Sequence, residues 1–185
     1  MYNILILGSG GREHALSWKI AQSPKCGKLL IGPGNAGTAE VGQNIALDIL
    51  NFEEIQKVVN QEKIDFLIVG PEAPLVNGIH DHFENHKVKV FGPSKLAAQL
   101  EGSKAFANDF MKEFDIPTAK YLTVTNDNLT QGMEYIDSQN SKIVLKADGL
   151  AAGKGVLIID DKEEAKIELN KMLAGKFGAA SKQVV

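Results

Sequence analysis

The chain has 185 residues, 44% of them hydrophobic, and a formal net charge of −3. That is enough for one large domain, or one domain and part of a second, and it excludes a basic nucleic-acid footprint and a polybasic membrane patch. No apolar run approaches the roughly 18 residues of a membrane-spanning helix, no basic segment precedes the opening MYNILILGSGG as in a signal peptide, and the lone Cys26 excludes a disulfide framework and cysteine-rich zinc sites, so a reducing, cytoplasmic setting is expected.

In chain order, Tyr2–Leu7 is apolar with little alternation, as expected of a parallel strand buried on both faces. Gly8-Ser9-Gly10-Gly11 follows, then a predicted helix over Arg12–Ser23 with Ala15, Leu16, Ile20 and Ala21 on one face. Strand, glycine turn and helix together make the phosphate-binding start of a doubly wound sheet. Lys28–Ile31 is the next predicted strand, ending at Gly32-Pro33-Gly34-Asn35-Ala36-Gly37, and Asn44–Leu47 a short third one. Phe52–Gln61 reads as a helix, Asp65–Val69 as a strand stopped by Gly70-Pro71, Ala73–His86 as a single helix, and Val88–Phe91 as a fifth strand stopped by Gly92-Pro93. This β-α-β alternation predicts an α/β, mainly parallel, Rossmann-like sheet over residues 1–101. Ligands of such sheets bind at the carboxyl ends of strands, where three glycine-containing turns should align.

The fingerprint for a dinucleotide is incomplete. Gly8 and Gly10 match G-x-G-x-x-G, but Glu13 stands in place of the third glycine, and no carboxylate ends the second strand to take a ribose. NAD is disfavoured. The turn can still hold one phosphate at the helix N-terminus with Arg12 adding charge, or Arg12 can be a solvated first-turn residue. Glu13 and His14 read as capping or surface groups.

After Gly92-Pro93 the pattern changes. Ser94–Leu100 and Ser103–Phe114 are predicted helices, with Ser103 as N-cap. Lys104 lies in the first turn, where a cation opposes the helix dipole at a cost of a few tenths to about 1 kcal/mol and invites an anionic partner. Lys120–Val124 reads as a strand and Asn128–Ser138 as a helix. Ile143–Leu145 and Val156–Ile159 are short β-branched strands flanking a loop with Gly149, Gly153 and Gly155, framed by Lys146 and Lys154. Such a loop can form a nest of backbone N–H groups for an anion, or be a plain flexible hairpin. It is not a Walker A loop, because Gly149 to Gly153 leaves too few residues and Gly155 stands where Ser or Thr is needed. Asp161–Leu173 is a predicted helix, Gly175–Ser181 a loop, and Gln183–Val185 the opening of a strand, which suggests a chain truncated at its C-terminus.

Five segments, GSGGREHA at Gly8, GPGNAGT at Gly32, VGPE at Val69, FGPS at Phe91 and LKADGLAAGKGV at Leu145, together resemble the phosphoribosylamine–glycine ligase family (glycinamide ribonucleotide synthetases) of the ATP-grasp superfamily. The resemblance runs through the whole chain in order and implies an N-terminal substrate-binding α/β domain over residues 1–101, followed by a partial α+β ATP-grasp region over 102–185 whose lid part is about 120–185. It implies an ATP-dependent ligation of glycine to 5-phosphoribosylamine through glycyl phosphate, in purine biosynthesis, by a monomer acting on small molecules without nucleic acid or membrane. Gly8, Gly10 and Gly11 would cradle the 5-phosphate, with Arg12, Asn35 and Gly37 on the same edge and Glu72 accepting from ribose hydroxyls. Lys104 and Lys146 match the paired ATP-binding lysines, and Gly149, Gly153, Lys154 and Gly155 belong to a loop closing over the triphosphate. No catalytic residue is assigned. ATP is the cosubstrate, and ligands for Mg²⁺ or Mn²⁺ are expected beyond residue 185, so the chain by itself is expected to be inactive. A carboxylase subunit of the same superfamily and a non-catalytic nucleotide-binding domain are the alternatives.

Overall fold

A computed structural model of the chain describes residues 1–151 and 154–185. They form two compact units, Met1–Ala98 and Gln99–Val185.

In the first unit, β1 (Tyr2–Gly8), β2 (Cys26–Pro33), β3 (Gln43–Asn44), β4 (Phe66–Val69) and β5 (Lys89–Phe91) form one parallel sheet in the order β3-β2-β1-β4-β5. β1 is the central strand, which is why its apolar run does not alternate: Leu5, Ile6 and Leu7 are all fully buried. Leu5 and Leu7 pack with Ile55 and Val59 of α2 (Phe52–Gln61) and Ile79 of α4 (Ile79–His82). Ile6 packs on the other face, with Leu16 and Ile20 of α1 (Gly11–Ala21) and the half-buried Cys26. Helices thus cover both faces, the doubly wound arrangement. Each fully buried Leu or Ile contributes about 1.5–3 kcal/mol from apolar burial.

The chain steps outward from β1 to β3, returns, and steps the other way through β4 and β5, so the order reverses beside β1. Gly8 is level with Pro33, and Leu7 with Val69, so the turns after β1, β2 and β4 leave the sheet along one edge, at its switch point.

Two expectations change here. Ala73–His86 is not one helix but α3 (Glu72–Asn77) and α4, divided at Gly78, whose φ of +95° caps the first and starts the second. The third strand is Gln43–Asn44, ahead of the predicted Asn44–Leu47, because Leu47 leaves the ladder to pack into the core beneath.

In the second unit, β6 (Ile143–Lys146) and β7 (Val156–Ile159) pair antiparallel. With α5 (Lys95–Gly102) running into it, the unit contains α6 (Lys104–Glu113), α7 (Leu129–Ser138) and α8 (Lys162–Lys171). Ile143, Leu145 and Ile159 face a core with Ile136 of α7 and Ala165 and Leu169 of α8. The predicted strand Lys120–Val124 does not form; only Val124 is bridged. The segment expected to open a strand lies between two neighbours: Val184 N–H donates to Val124 O (2.9 Å) and Val185 N–H to Lys146 O (2.8 Å). The predicted loop Gly175–Ser181 is a π-type turn over Met172–Lys176 and a 3-10 turn over Gly178–Lys182.

Candidate substrate and nucleotide sites

The edge of the first unit gathers Gly8, Gly10, Gly11, Arg12, Asn35, Gly37 and Glu72 at the ends of β1, β2 and β4. Its organiser is a residue the sequence reading set aside. Glu13 is only 3% exposed. Its carboxylate accepts from Gly10 N–H (2.6 Å) and Arg12 Nε (3.1 Å). A Cβ on Gly8, Gly10 or Gly70 would collide with this side chain. Glu13 therefore fills the space that the third glycine of a dinucleotide turn leaves open, and packs between the turns after β1 and β4. The available signal was its position three residues after Gly10, from which a carboxylate can reach back to the N-cap amide.

This geometry modifies the expected phosphate cradle. The Gly10 amide is spent on Glu13, whereas the first-turn amides of α1 at Gly11 and Arg12 have no intrahelical acceptor. Asn35 does not point a free amide at a ligand either: its Nδ2 donates to Ser9 O (2.8 Å) and Gly10 O (3.3 Å), and its Oδ1 accepts from Thr38 N–H (3.0 Å). It clamps one glycine turn to the next. Gly37 makes room for the imidazole of His14, which a Cβ would strike.

Arg12 also reaches Glu72 Oε1 (3.2 Å) at the start of α3. The hydrogen bond to Glu13 is the largest influence holding Arg12 charged. The Glu72 carboxyl is held below its ordinary value, first by its own backbone N–H; burial opposes this, and Arg12 adds to the lowering. Both side chains are about half exposed, so the pair is screened.

In the second unit, Ser103 caps α6 as predicted, accepting from Phe106 N–H (3.0 Å). Lys104 Nζ donates to the carbonyls of Asp148 and Gly149 (both 3.2 Å). Lys146 ends β6 on the outer face of the hairpin, and among the described residues its ammonium has no partner. Register places Val144 opposite Ile158 and Lys146 opposite Val156, so a cation adjoins three exposed β-branched side chains, Ile158 the most open at 67%. Lys146 and Val144 also line a cleft of about 440 Å³ with Tyr121, Leu122 and Val185. Gly149 lies against the backbone of Ala180, and Gly155 is closed in by Ala147 and Ala151, so both answer to packing. Lys154 is exposed. Gly153 lies outside the described residues. Asp148, buried at the foot of the loop, was missed, because only the fold shows what surrounds it.

The first unit is thus a doubly wound α/β sheet with a glycine edge, and the second carries Lys104 and Lys146 beside a β-hairpin. Residues 2–101 match the family described as phosphoribosylglycinamide synthetase, N domain, and residues 102–185 match phosphoribosylglycinamide synthetase, ATP-grasp (A) domain. The chain belongs to the phosphoribosylglycinamide synthetase family. It is 48% identical to the phosphoribosylamine–glycine ligase of Pasteurella multocida over 99% of its own length and 43% of the relative, and 48% identical to that of Escherichia coli K12 over 98% and 43%. The crystal structure of phosphoribosylamine–glycine ligase from Thermotoga maritima matches with a TM-score of 0.76 at 35% identity, covering 98% of this chain and 42% of that one. An N5-carboxyaminoimidazole ribonucleotide synthetase from the same organism shares the fold at 20% identity and a TM-score of 0.67, covering 90% and 43%. The chain thus spans less than half the length of these relatives.

Proposed function

We propose that this chain is the N-terminal part of an ATP-dependent ligase that joins glycine to 5-phosphoribosylamine, giving glycinamide ribonucleotide, ADP and phosphate. The observation that carries the proposal is the end-to-end match to the two synthetase regions, each ending on a site of suitable chemistry. In the first unit, the free first-turn amides at Gly11 and Arg12 and the Arg12 guanidinium suit a phosphate, and Glu72 suits ribose hydroxyls. Gly8, Gly10, Asn35 and Gly37 shape that edge from behind. In the second, Lys104 and Lys146 suit the phosphates of ATP, and the apolar outer face of the hairpin suits a base. Gly149, Lys154 and Gly155 adjoin that site.

The proposed chemistry needs two steps. A glycine carboxylate oxygen attacks the γ-phosphorus, forming glycyl phosphate and releasing ADP. The ribosyl amine then attacks the carbonyl carbon, loses a proton and expels phosphate. This chain's share is positioning and charge neutralisation. Among the described residues no group of three or more His, Cys, Asp or Glu could hold a metal ion. Among the same residues no helix is long and apolar enough to cross a membrane. We take the enzyme to be a cytoplasmic monomer, a setting with which the single, unpaired Cys26 agrees.

Calorimetric titration of the chain with glycinamide ribonucleotide and, separately, with ATP–Mg²⁺ tests the proposal, alongside turnover by a full-length ligase carrying this sequence. Ribonucleotide binding to the chain, with ADP release by the full-length protein that requires glycine and not bicarbonate, is expected. Bicarbonate-dependent ADP release would overturn the glycine assignment, and turnover by the chain alone would overturn the view that it supplies binding without catalysis.

A further inference from the structure

Asp148 stands where β6 gives way to the glycine loop, and its side chain is buried. A carboxylate taken out of water must recover its solvation from protein donors. This one has three. Oδ1 accepts from Ser103 Oγ–H (3.0 Å) and Ala105 N–H (2.7 Å), and Oδ2 accepts from Gln183 Nε2–H (2.8 Å). The donors come from the start of α6 and from the segment leading to Val184, stretches far apart in sequence. The backbone of the same residue repeats the connection: Asp148 N–H donates to Gln183 O (3.1 Å), and Asp148 O accepts from Lys104 N–H (3.3 Å).

The solvation is neutral throughout. Among the described residues no lysine, arginine or histidine forms an ion pair with Asp148; its charge is met by a hydroxyl, an amide side chain and the positive end of α6. Lys104 sits in that same first turn, and its ammonium rests not on a carboxylate but on the carbonyls of Asp148 and Gly149. The same residue that is pinned to α6 through its carboxylate supplies one of the two carbonyls and precedes the other. The dipole penalty of a lysine at this position is thus offset by a carboxylate contributed from another part of the fold.

We infer that Asp148 is a positioning residue of the candidate nucleotide site: its carboxylate pins the end of β6 to the start of α6 and thereby orients the Lys104 ammonium. The nucleotide reading proposed above is what gives that orientation a purpose. An ordinary capping role would depend only on the Oδ1 contacts with the start of α6, so loss of the Gln183 contact at Oδ2 would leave Lys104 unchanged.

Lysine reactivity separates the two. Competitive acylation of the chain without ligand, read by mass spectrometry, reports each ammonium. In Asp148→Asn, the new amide can still accept from Ser103 and Ala105 but turns N–H toward the N–H of Gln183. Lys104 labelling is expected to rise at least threefold while Lys146 and Lys154 stay within about half of their wild-type rates. Adding Gln183→Glu, which places an acceptor opposite the new amide, should reverse most of that rise. Gln183→Ala removes one donor to Asp148 without introducing a repulsive contact and leaves the Ser103 cap of α6 in place, and should give a smaller rise at Lys104 alone; it carries the test if Asp148→Asn does not fold. Unchanged Lys104 labelling in the folded variants, or an equal rise at all three lysines, overturns the inference. Calorimetry with ATP–Mg²⁺ on the same proteins keeps the two claims apart. Selective labelling without ATP binding by the wild type leaves Asp148 in its role and removes the nucleotide reading. ATP binding with unselective labelling does the reverse.

Discussion

Two buried carboxylates, Glu13 and Asp148, lie at the two candidate sites, and the first alone has a positional hint in the sequence. Glu13 solvates its charge with Gly10 N–H and Arg12 Nε beneath the glycine turn. Glu13→Ala would release Gly10 N–H and the half-exposed Arg12 guanidinium to water and empty the space the side chain fills, and the loss of a capping contact of this kind costs about 0.5–2 kcal/mol. Urea denaturation should show a loss in that range, with Glu13→Gln losing less because its amide oxygen can still accept from Gly10. At the rim of the same site, Glu72 gives a pH signature. Its folded pKa is depressed, so the stability it contributes is complete above the ordinary value of about 4.3 and is lost as pH falls through the lower, folded value. Carbon-13 titration of the carboxyl should find Glu72 below that value. Arg12→Gln should move it upward only in part, since the first cause of the depression is the residue's own backbone N–H, which Arg12→Gln leaves in place.

At the level of elements, periodicity and turn chemistry located most strands and helices, and the failures have local causes. The stretch predicted as one helix over Ala73–His86 is broken at Gly78, where φ is +95°. An isolated glycine in a helical pattern does not reveal its φ; the fold imposes it, because Ile79 and Phe83 must reach the core while Glu72 stays at the site edge. Gly78→Ala would hold an L-residue in that conformation, at a cost of about 1–2 kcal/mol. A thermal midpoint lowered by several degrees, with ribonucleotide binding retained, is the expected result. The Lys120–Val124 stretch failed for the opposite reason. It has strand-like residues, but a strand needs a neighbour along its length, and only Val124 finds one, in Val184. The hairpin was legible on both counts. Its inward side chains fill the core of the second unit, and its outward ones, Val144, Val156 and Ile158, remain exposed beside Lys146.

For the molecule as a whole, each unit has its own core and its own candidate site, so the two ligands should leave separate footprints. Hydrogen exchange with glycinamide ribonucleotide should protect amides around Gly8–Glu13 and Gly70–Glu72, within residues 1–98. Exchange with ATP–Mg²⁺ should protect amides around Ser103–Ala105 and Lys146–Gly149, within residues 99–185. Protection by the ribonucleotide confined to the second unit would contradict the assignment of the substrate edge. The sequence alone determined the doubly wound sheet, the glycine turns at its carboxyl edge, the capping serine of α6 and the lysine-flanked hairpin. These depend on local periodicity, on φ preferences and on residues adjacent in the chain. Only the tertiary structure decided that Glu13 is buried against the turns at Gly8, Gly10 and Gly70, that Asn35 clamps loops instead of facing a ligand, and that Asp148 joins Ser103, Ala105 and Gln183. A carboxylate's role is set by which donors replace its lost water, and those donors come from segments that meet only when the chain is folded.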